Sequence, residues 1–308
     1  MQVTRPIITL IALLALAAPG FAQQVDLVLK LEPGKVYKNT MTMEQQITQS
    51  AGGIEQKMDQ TMAMGMSQKV LKKHDNGNYD LATTYDWVTL RQPMMNIDYD
   101  SRKAPQGGQA HPLVGAFAGM VGKGFEMTMT PRGKVTELRG IEQMLNEMVE
   151  GFPEAPGFDK AMIKDMMKQQ FGEEAIKSAV ENSTALPDKA VNVGDTWQKS
   201  SPMPGVASTM TTNYKLASVE GGAARVEARS TITPDPQAKP IEVPGGSTMK
   251  QDLRGTQSGF LLFHTATGWL KRSEMTQEMS GETTMTNPGF GEMKIPMTMK
   301  SKIVITDE

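Results

Sequence analysis

The sequence predicts an α+β fold, mostly antiparallel β, in which two related, long-stranded, curved β units form an internal duplication. A helical insert joins them and packs on or between them. Three observations predict this. Apolar residues recur at every second position over long runs, which puts them on one face of a strand. Glycine and aromatic landmarks occur twice in the same order along the chain. A helical period appears in one central region. The resulting division is a signal peptide at 1–22, a first β unit at 23–139, the helical insert at 140–186 and a second β unit at 187–308.

The first segment has one cation, Arg5, followed by an apolar stretch from Ile7 to Ala18, which is too short to span a bilayer. Pro19 and Gly20 break it. Small residues at Gly20 and Ala22 place cleavage after Ala22, so the mature chain starts at Gln23. The expectation is an exported protein, periplasmic or extracellular, soluble after processing and without an integral membrane segment.

In the β units, the first landmark is a glycine with an aromatic three residues on, Gly34 to Tyr37 and Gly194 to Trp197. The second is a glycine turn between alternating runs, Lys69 to Asp86 around Gly77 and Tyr214 to Ile232 around Gly221-Gly222. The third and fourth keep their spacing: Gly124-Phe125 leads to Gly133 as Gly259-Phe260 leads to Gly268. In the insert, Ile141, Met144, Leu145 and Met148 follow the i, i+3, i+4, i+7 rule. After a Gly151 to Gly157 linker, Met162, Ile163, Met166, Met167 and Phe171 share a side of a second helix. Gly172 interrupts that helix, and Ala175, Ile176, Ala179 and Val180 carry its pattern on toward Pro187.

The chain holds 26 Met against 9 Phe, and many of the Met alternate. Tyr37, Met41, Met43 and Ile47 share one strand face; Met58, Met62, Met64, Met66 and Val70 share a second. Met293, Ile295, Met297, Met299, Ile303 and Ile305 share a third, where Pro296 predicts an edge strand or a bulge. Three readings compete for these stripes. They form core; or they line a pliant pocket for an apolar small molecule or lipid, because unbranched thioethers adapt to irregular shapes; or they bind Cu(I) as soft ligands. His74, His111 and His264 lie far from the Met runs in sequence, which weighs against copper. The candidate ligand-binding residues are Met41, Met43, Met62, Met64, Met66, Met297 and Met299.

Composition excludes much chemistry. With no cysteine there is no disulfide, thiolate metal site, cysteine nucleophile or lipidated N-terminal cysteine. The net charge of −2 comes without a basic block, so no nucleic-acid partner is expected. Nucleophile-elbow, phosphate-loop and zinc-protease motifs are absent from the sequence. Ser247-Thr248-Met249-Lys250 matches an acylating Ser-x-x-Lys motif but follows Pro244-Gly245-Gly246 in strand-like surroundings. Asn96, Asp98 and Asp100 alternate, as hard-cation ligands or as turn residues before a polar loop from Ser101 to His111. Trp87, Trp197 and Trp269 read as strand packing. No catalytic residue, metal site or cofactor is assigned.

The run Leu29 to Tyr37, the step Tyr99-Asp100-Ser101 and the run Val193 to Trp197 resemble an uncharacterised family of exported bacterial proteins, a domain of unknown function. The resemblance covers most of the mature chain and implies no site residue. In shape alone, long curved strands cupping helices are similar to the half-barrel of periplasmic lipoprotein carriers. The functional expectation is a non-enzymatic, soluble cell-envelope protein binding an apolar or lipid-like ligand in a Met-lined cleft beneath the helices. The alternative is a structural or protein-interaction module of the envelope.

Overall fold

The structure, a computed structural model, describes residues 24–308 except 52, 104–111, 151–159, 204–205, 237–239, 244–246, 288 and 290. The expected signal peptide, the expected Gly151 to Gly157 linker and most of the expected Ser101 to His111 loop lie outside the described residues.

The first strands are β1 (Val36–Ala51), β2 (Ile54–Lys73), β3 (Tyr79–Gln92) and β4 (Ile97–Asp100). Helix α1 (Pro112–Met120), strands β5 (Gly124–Met129) and β6 (Val135–Arg139), and helices α2 (Ile141–Glu150), α3 (Lys160–Phe171) and α4 (Glu173–Thr184) follow. The remaining strands are β7 (Thr196–Met203), β8 (Ser208–Glu220), β9 (Ala223–Pro234), β10 (Ile241–Val243), β11 (Ser247–His264), β12 (Leu270–Asn287) and β13 (Gly291–Asp307). All 13 strands join one open, curved sheet in the order β6-β5-β3-β2-β1-β13-β12-β11-β9-β8-β7, with β4 beside β3 and β10 beside β11. Every pairing is antiparallel.

The turn glycines do what their backbone freedom allows. Gly77 in the β2–β3 turn has φ +86°, and Gly221 and Gly222 in the β8–β9 turn have +57° and +76°, the left-handed region where a side chain is strained. Helix α2 buries Ile141, Met144, Leu145 and Met148, the residues its period selects, together with Val149. Gly172 separates α3 from α4, and α4 ends at Ala185, whose left-handed backbone (φ 39°) returns its N–H to the Glu181 carbonyl.

Two local features of the sheet bear on the sequence reading. Pro296 lies in β13, which is central, and its pairing with Glu282 of β12 runs without a register shift. The ladder to β1 ends at Gln49–Met297, one residue short of the proline, so at Pro296 the strand is a local edge on its β1 side, as the sequence reading has it, and no β1 bond is demanded of it. In β3 a bulge opposite Gly65 and Met66 changes the inward parity. Tyr79, Leu81 and Tyr85 are buried before it, Val88 and Leu90 after it.

The principal core lies on one face of the sheet and includes Leu81, Val88, Met127 and Phe263 with Met144, Leu145 and Met148 of α2. Leu27, Leu29 and Leu31, from an extended segment before β1, drive into the same core and are almost fully buried. That segment is pinned by backbone bonds: Val25 bridges to Val191, Leu29 N–H donates to the Pro131 carbonyl at 2.8 Å and Lys30 N–H to the Thr267 carbonyl at 2.8 Å. Arg132 adds Nη1 bonds to Asp26 (2.6 Å) and to the Pro187 carbonyl (3.2 Å).

Tyr79, 1% exposed, donates its hydroxyl to the Leu29 carbonyl (3.2 Å) and accepts from the Leu31 N–H (3.3 Å). Tyr79→Phe leaves a buried donor and acceptor without their partner, and is expected to cost about 1–3 kcal/mol in a urea unfolding curve with little change in slope.

Candidate functional site

The sheet is open between its two edge strands, β6 and β7, and α4 lies against both. Polar side chains stitch the helix to each edge. On the β6 side, Glu181 Oε1 accepts the Val135 N–H at 3.0 Å, and Thr184 Oγ1 donates to the Gly133 carbonyl at 3.1 Å. On the β7 side, Ser178 Oγ donates to the Pro202 carbonyl at 2.6 Å and Ser201 Oγ donates to Asn182 Oδ1 at 2.8 Å. Trp197 donates from Nε1 to the Ala185 carbonyl at 3.1 Å and stacks on Tyr214 with ring centroids 5.6 Å apart. The helix therefore covers strand edges that would otherwise offer bare N–H and C=O groups.

Beneath α4 lies a partly enclosed cavity of about 280 Å³. Its apolar wall is Met203, Met210, Leu261, Met275, Ile303 and Ile305, drawn from β7, β8, β11, β12 and β13. Thr212, Tyr214, Gln257, Ser273 and Gln277 supply polar groups from the sheet, and Ala179, Asn182 and Ser183 of α4 form the roof. Among the described residues no charged side chain lines it. Burial pushes the Tyr214 hydroxyl above its usual pKa, so it enters the cavity as a neutral donor and acceptor. Lys199, beside Thr212 on β7, has its pKa lowered by burial, which outweighs the opposing charges of Asp188 and Glu181.

None of the seven Met residues nominated from the sequence lines this cavity. The sheet sets their stripes side by side: Met41 is the Cα partner of Met64 and Ile305, Met43 of Met62 and Ile303. Met62 and Met64 are buried in the principal core, with Met41, Met43 and Met66 packed against it. Met297 and Met299 pack on a second, smaller cluster of Met210, Ile232, Leu253 and Met279. Rows of thioethers in register fill one another's space. The cavity opens instead where isolated Met residues, Met203, Met210 and Met275, meet Thr, Ser and Gln. No stripe marks those three in sequence; only their pairing across strands brings them together.

The remaining candidates find structural roles. Asp100 accepts from the Arg102 backbone N–H (3.0 Å), Nε (2.9 Å) and Nη2 (3.0 Å), and these bonds hold its carboxyl below the usual range. Arg102 also lies 4.2 Å from the Trp87 ring centroid. Among the described residues no cluster of three or more His, Asp or Glu could hold a metal ion. Ser247 and Lys250 are three apart on β11, hence on opposite faces, and Ser247 accepts from Asn287 Nδ2 at 2.6 Å. His74 bonds Asp80 at 2.8 Å and His264 bonds Asp307 at 2.6 Å. Burial raises the Asp80 carboxyl, yet bonds from Thr128 and His74 and the nearby Arg139 hold it below its usual range. Trp269 packs on Tyr37 with centroids 4.8 Å apart.

Two further grooves flank α2. One, of about 420 Å³ against β5, is crossed by the Lys123–Glu147 ion pair at 2.6 Å. The other, of about 430 Å³, runs between α2 and the α3–α4 junction. The first is also lined by Thr83, whose buried hydroxyl has no hydrogen-bond partner among the described residues. Among the described residues no helix is long and apolar enough to cross a membrane.

The fold and site define a class of protein: a single antiparallel sheet, open on one side, with a helix laid across the opening and a small, uncharged cavity beneath it. The chain belongs to the family of unknown function DUF6263, which matches residues 76–270. No curated protein sequence matches the chain. Solved structures resemble it distantly. Lipovitellin, described for its lipid-protein interactions, superimposes with a TM-score of 0.47 at 10% identity over 90% of this chain, which spans 25% of that one. Pseudomonas aeruginosa OccK7 gives 0.23 at 7% identity, covering 89% and 99% of the two chains. Salmonella typhi OmpF in complex with daunomycin gives 0.23 at 9%, covering 89% and 98%. At these scores none of the three bears on function.

Proposed function

We propose that this chain is a non-enzymatic, exported cell-envelope protein that holds an apolar or lipid-like molecule in the cavity beneath α4. The observation that carries the reading is the cavity itself: six apolar side chains from five strands enclose space under a helix tied to the sheet edges mainly by polar bonds. Apolar surface left facing a void forfeits dispersion contacts that a ligand would restore. Met203, Met210 and Met275 give that wall the pliancy to accept more than one shape.

Within this reading, residues 1–22 act as the signal peptide and are removed after Ala22. The body is a duplicated unit, with residues 140–186 as a helical insert between the copies. The order β1-β2-β3-β5-β6 in one half and β7-β8-β9-β11-β12 in the other supports that ancestry. So does the placement of Gly133 and Gly268 in the matching β5–β6 and β11–β12 turns.

The test is native mass spectrometry of protein purified from its own envelope. The expected result is an excess mass, released on denaturation, that is absent from Ser273→Phe, because Ser273 is 5% exposed and faces the cavity. Ligand-free protein, or equal loading of Ser273→Phe, would overturn the reading. Stoichiometric crosslinking to one envelope protein together with an empty cavity would favour the interaction module instead.

A further inference from the structure

The chemistry of the occupant is narrowed by a row of polar side chains that crosses the cavity wall, an inference that rests on the cavity being a ligand site. Gln45 of β1 faces Ser301 of β13, which faces Gln277 of β12, then Gln257 of β11, Ser230 of β9 and Thr212 of β8, each the Cα partner of the next. The row on one side of this band, through Met43, Met275, Ala228 and Tyr214, belongs to the principal core or packs on it. The row on the other side, through Met299, Met279, Ile232 and Met210, belongs to the second cluster or packs on it. A polar band thus separates two apolar bodies.

The outer members of the band satisfy one another. Gln45 Nε2 donates to Ser301 Oγ at 3.3 Å, and the Thr212 and Ser230 hydroxyls are bonded at 2.8 Å. The two central members do not. Gln257 and Gln277 are direct cross-strand partners, both line the cavity, and Gln277 is 8% exposed. Among the described residues neither side-chain amide has a hydrogen-bond partner. Each amide carries two donors and a carbonyl acceptor that face the open space of the cavity, and an occupant that covered them without bonding them would leave them unpaired at a cost.

We propose that the cavity takes an uncharged amphiphile whose amide or hydroxyl group bonds Gln257 and Gln277, with its apolar portion lying along Met275, Leu261 and Ile303. Among the described residues none that lines the cavity is charged, so an ionised head group at Gln257 and Gln277 would be desolvated without a counter-charge on the cavity wall itself. A pure hydrocarbon would leave both amides unpaired. The site therefore discriminates by hydrogen bonding, the kind of selection that rejects an analogue lacking the polar group most strongly.

Titration of the full-length mature protein with decanamide, decanoate and decane, followed by NMR chemical shifts, tests this. Decanamide is expected to bind at least about tenfold more tightly than either rival, the scale of one well-made buried hydrogen bond. Gln277→Leu should erase the preference for decanamide while retaining or improving decane binding. Gln257→Leu, at a less buried position, should act the same way and serves if Gln277→Leu does not fold. Equal binding of the three probes, a preference for decanoate, or an amide preference that survives both variants would overturn the inference and leave the cavity a ligand site. Binding of none would overturn both.

Discussion

Gly268→Ala is expected to produce a large loss of stability for a single added methyl group. Gly268 sits in the β11–β12 turn with φ +68°, where an L side chain is strained. A Cβ there would also lie 2.1 Å from the Val28 carbonyl oxygen and 2.5 Å from its carbon, atoms of backbone that cannot rotate aside. Val28 belongs to the segment that carries Leu27, Leu29 and Leu31 into the core, and the adjacent Thr267 carbonyl receives the Lys30 N–H. The added methyl therefore pushes out three core leucines or breaks the turn. The combined strain and displacement should cost about 3 kcal/mol or more, read as a lower urea midpoint. Exposure of the segment should appear as faster hydrogen exchange at Leu29 and Lys30. Gly194→Ala is the control: it has φ +99° but nothing within 4 Å, so it pays strain alone. Equal losses in the two variants would show that the close approach to Val28 contributes nothing.

The second large effect concerns curvature. Gly255 and Gly259 lie in the middle of β11, and a Cβ on either would meet the carbonyl oxygen of its β12 neighbour, Glu278 at 2.1 Å and Glu274 at 2.0 Å. Strands this close at their pleats are strongly coiled, a geometry that glycine in a strand interior permits. Gly255→Ala and Gly259→Ala should each cost about 1–3 kcal/mol, as overpacked sites do, and the pair more than either. The positions also bear on the site. Gly259 pairs with Met275 and Gly255 with Met279, on the two sides of Gln257 and Gln277. Flattening β11 against β12 should therefore weaken decanamide binding in whatever folded fraction remains. Double-alanine protein of unaltered stability would refute the assignment of curvature to these glycines.

Much of the architecture was legible because it is local. A period of two in β1, β2 and β13, a helical period at Ile141 to Met148, and glycine turns at Gly77, Gly221-Gly222 and Gly268 are signals carried by near neighbours in sequence. Helix α1 went unread for an equally local reason: Pro112 to Met120 is small or apolar throughout, with no polar face for a period to mark. The bulge opposite Gly65 and Met66 was also unread, since it moves β3 from odd to even inward positions without a compositional sign.

The candidate site divides along the same line. By itself the sequence determined that this is a β-rich, cysteine-free chain whose methionines line strand faces, because alternation within one strand is fixed by the pleat. Tertiary structure decided which methionines face a void and which face one another. It placed Pro296 where no β1 partner asks for its missing N–H, and it brought Gln257 opposite Gln277. Those facts depend on register between strands far apart in the chain, and β1 meets β13 only after every intervening strand has been laid down. Side-chain periodicity determines which face of a strand points inward, whereas the pairing of distant strands determines what that face meets.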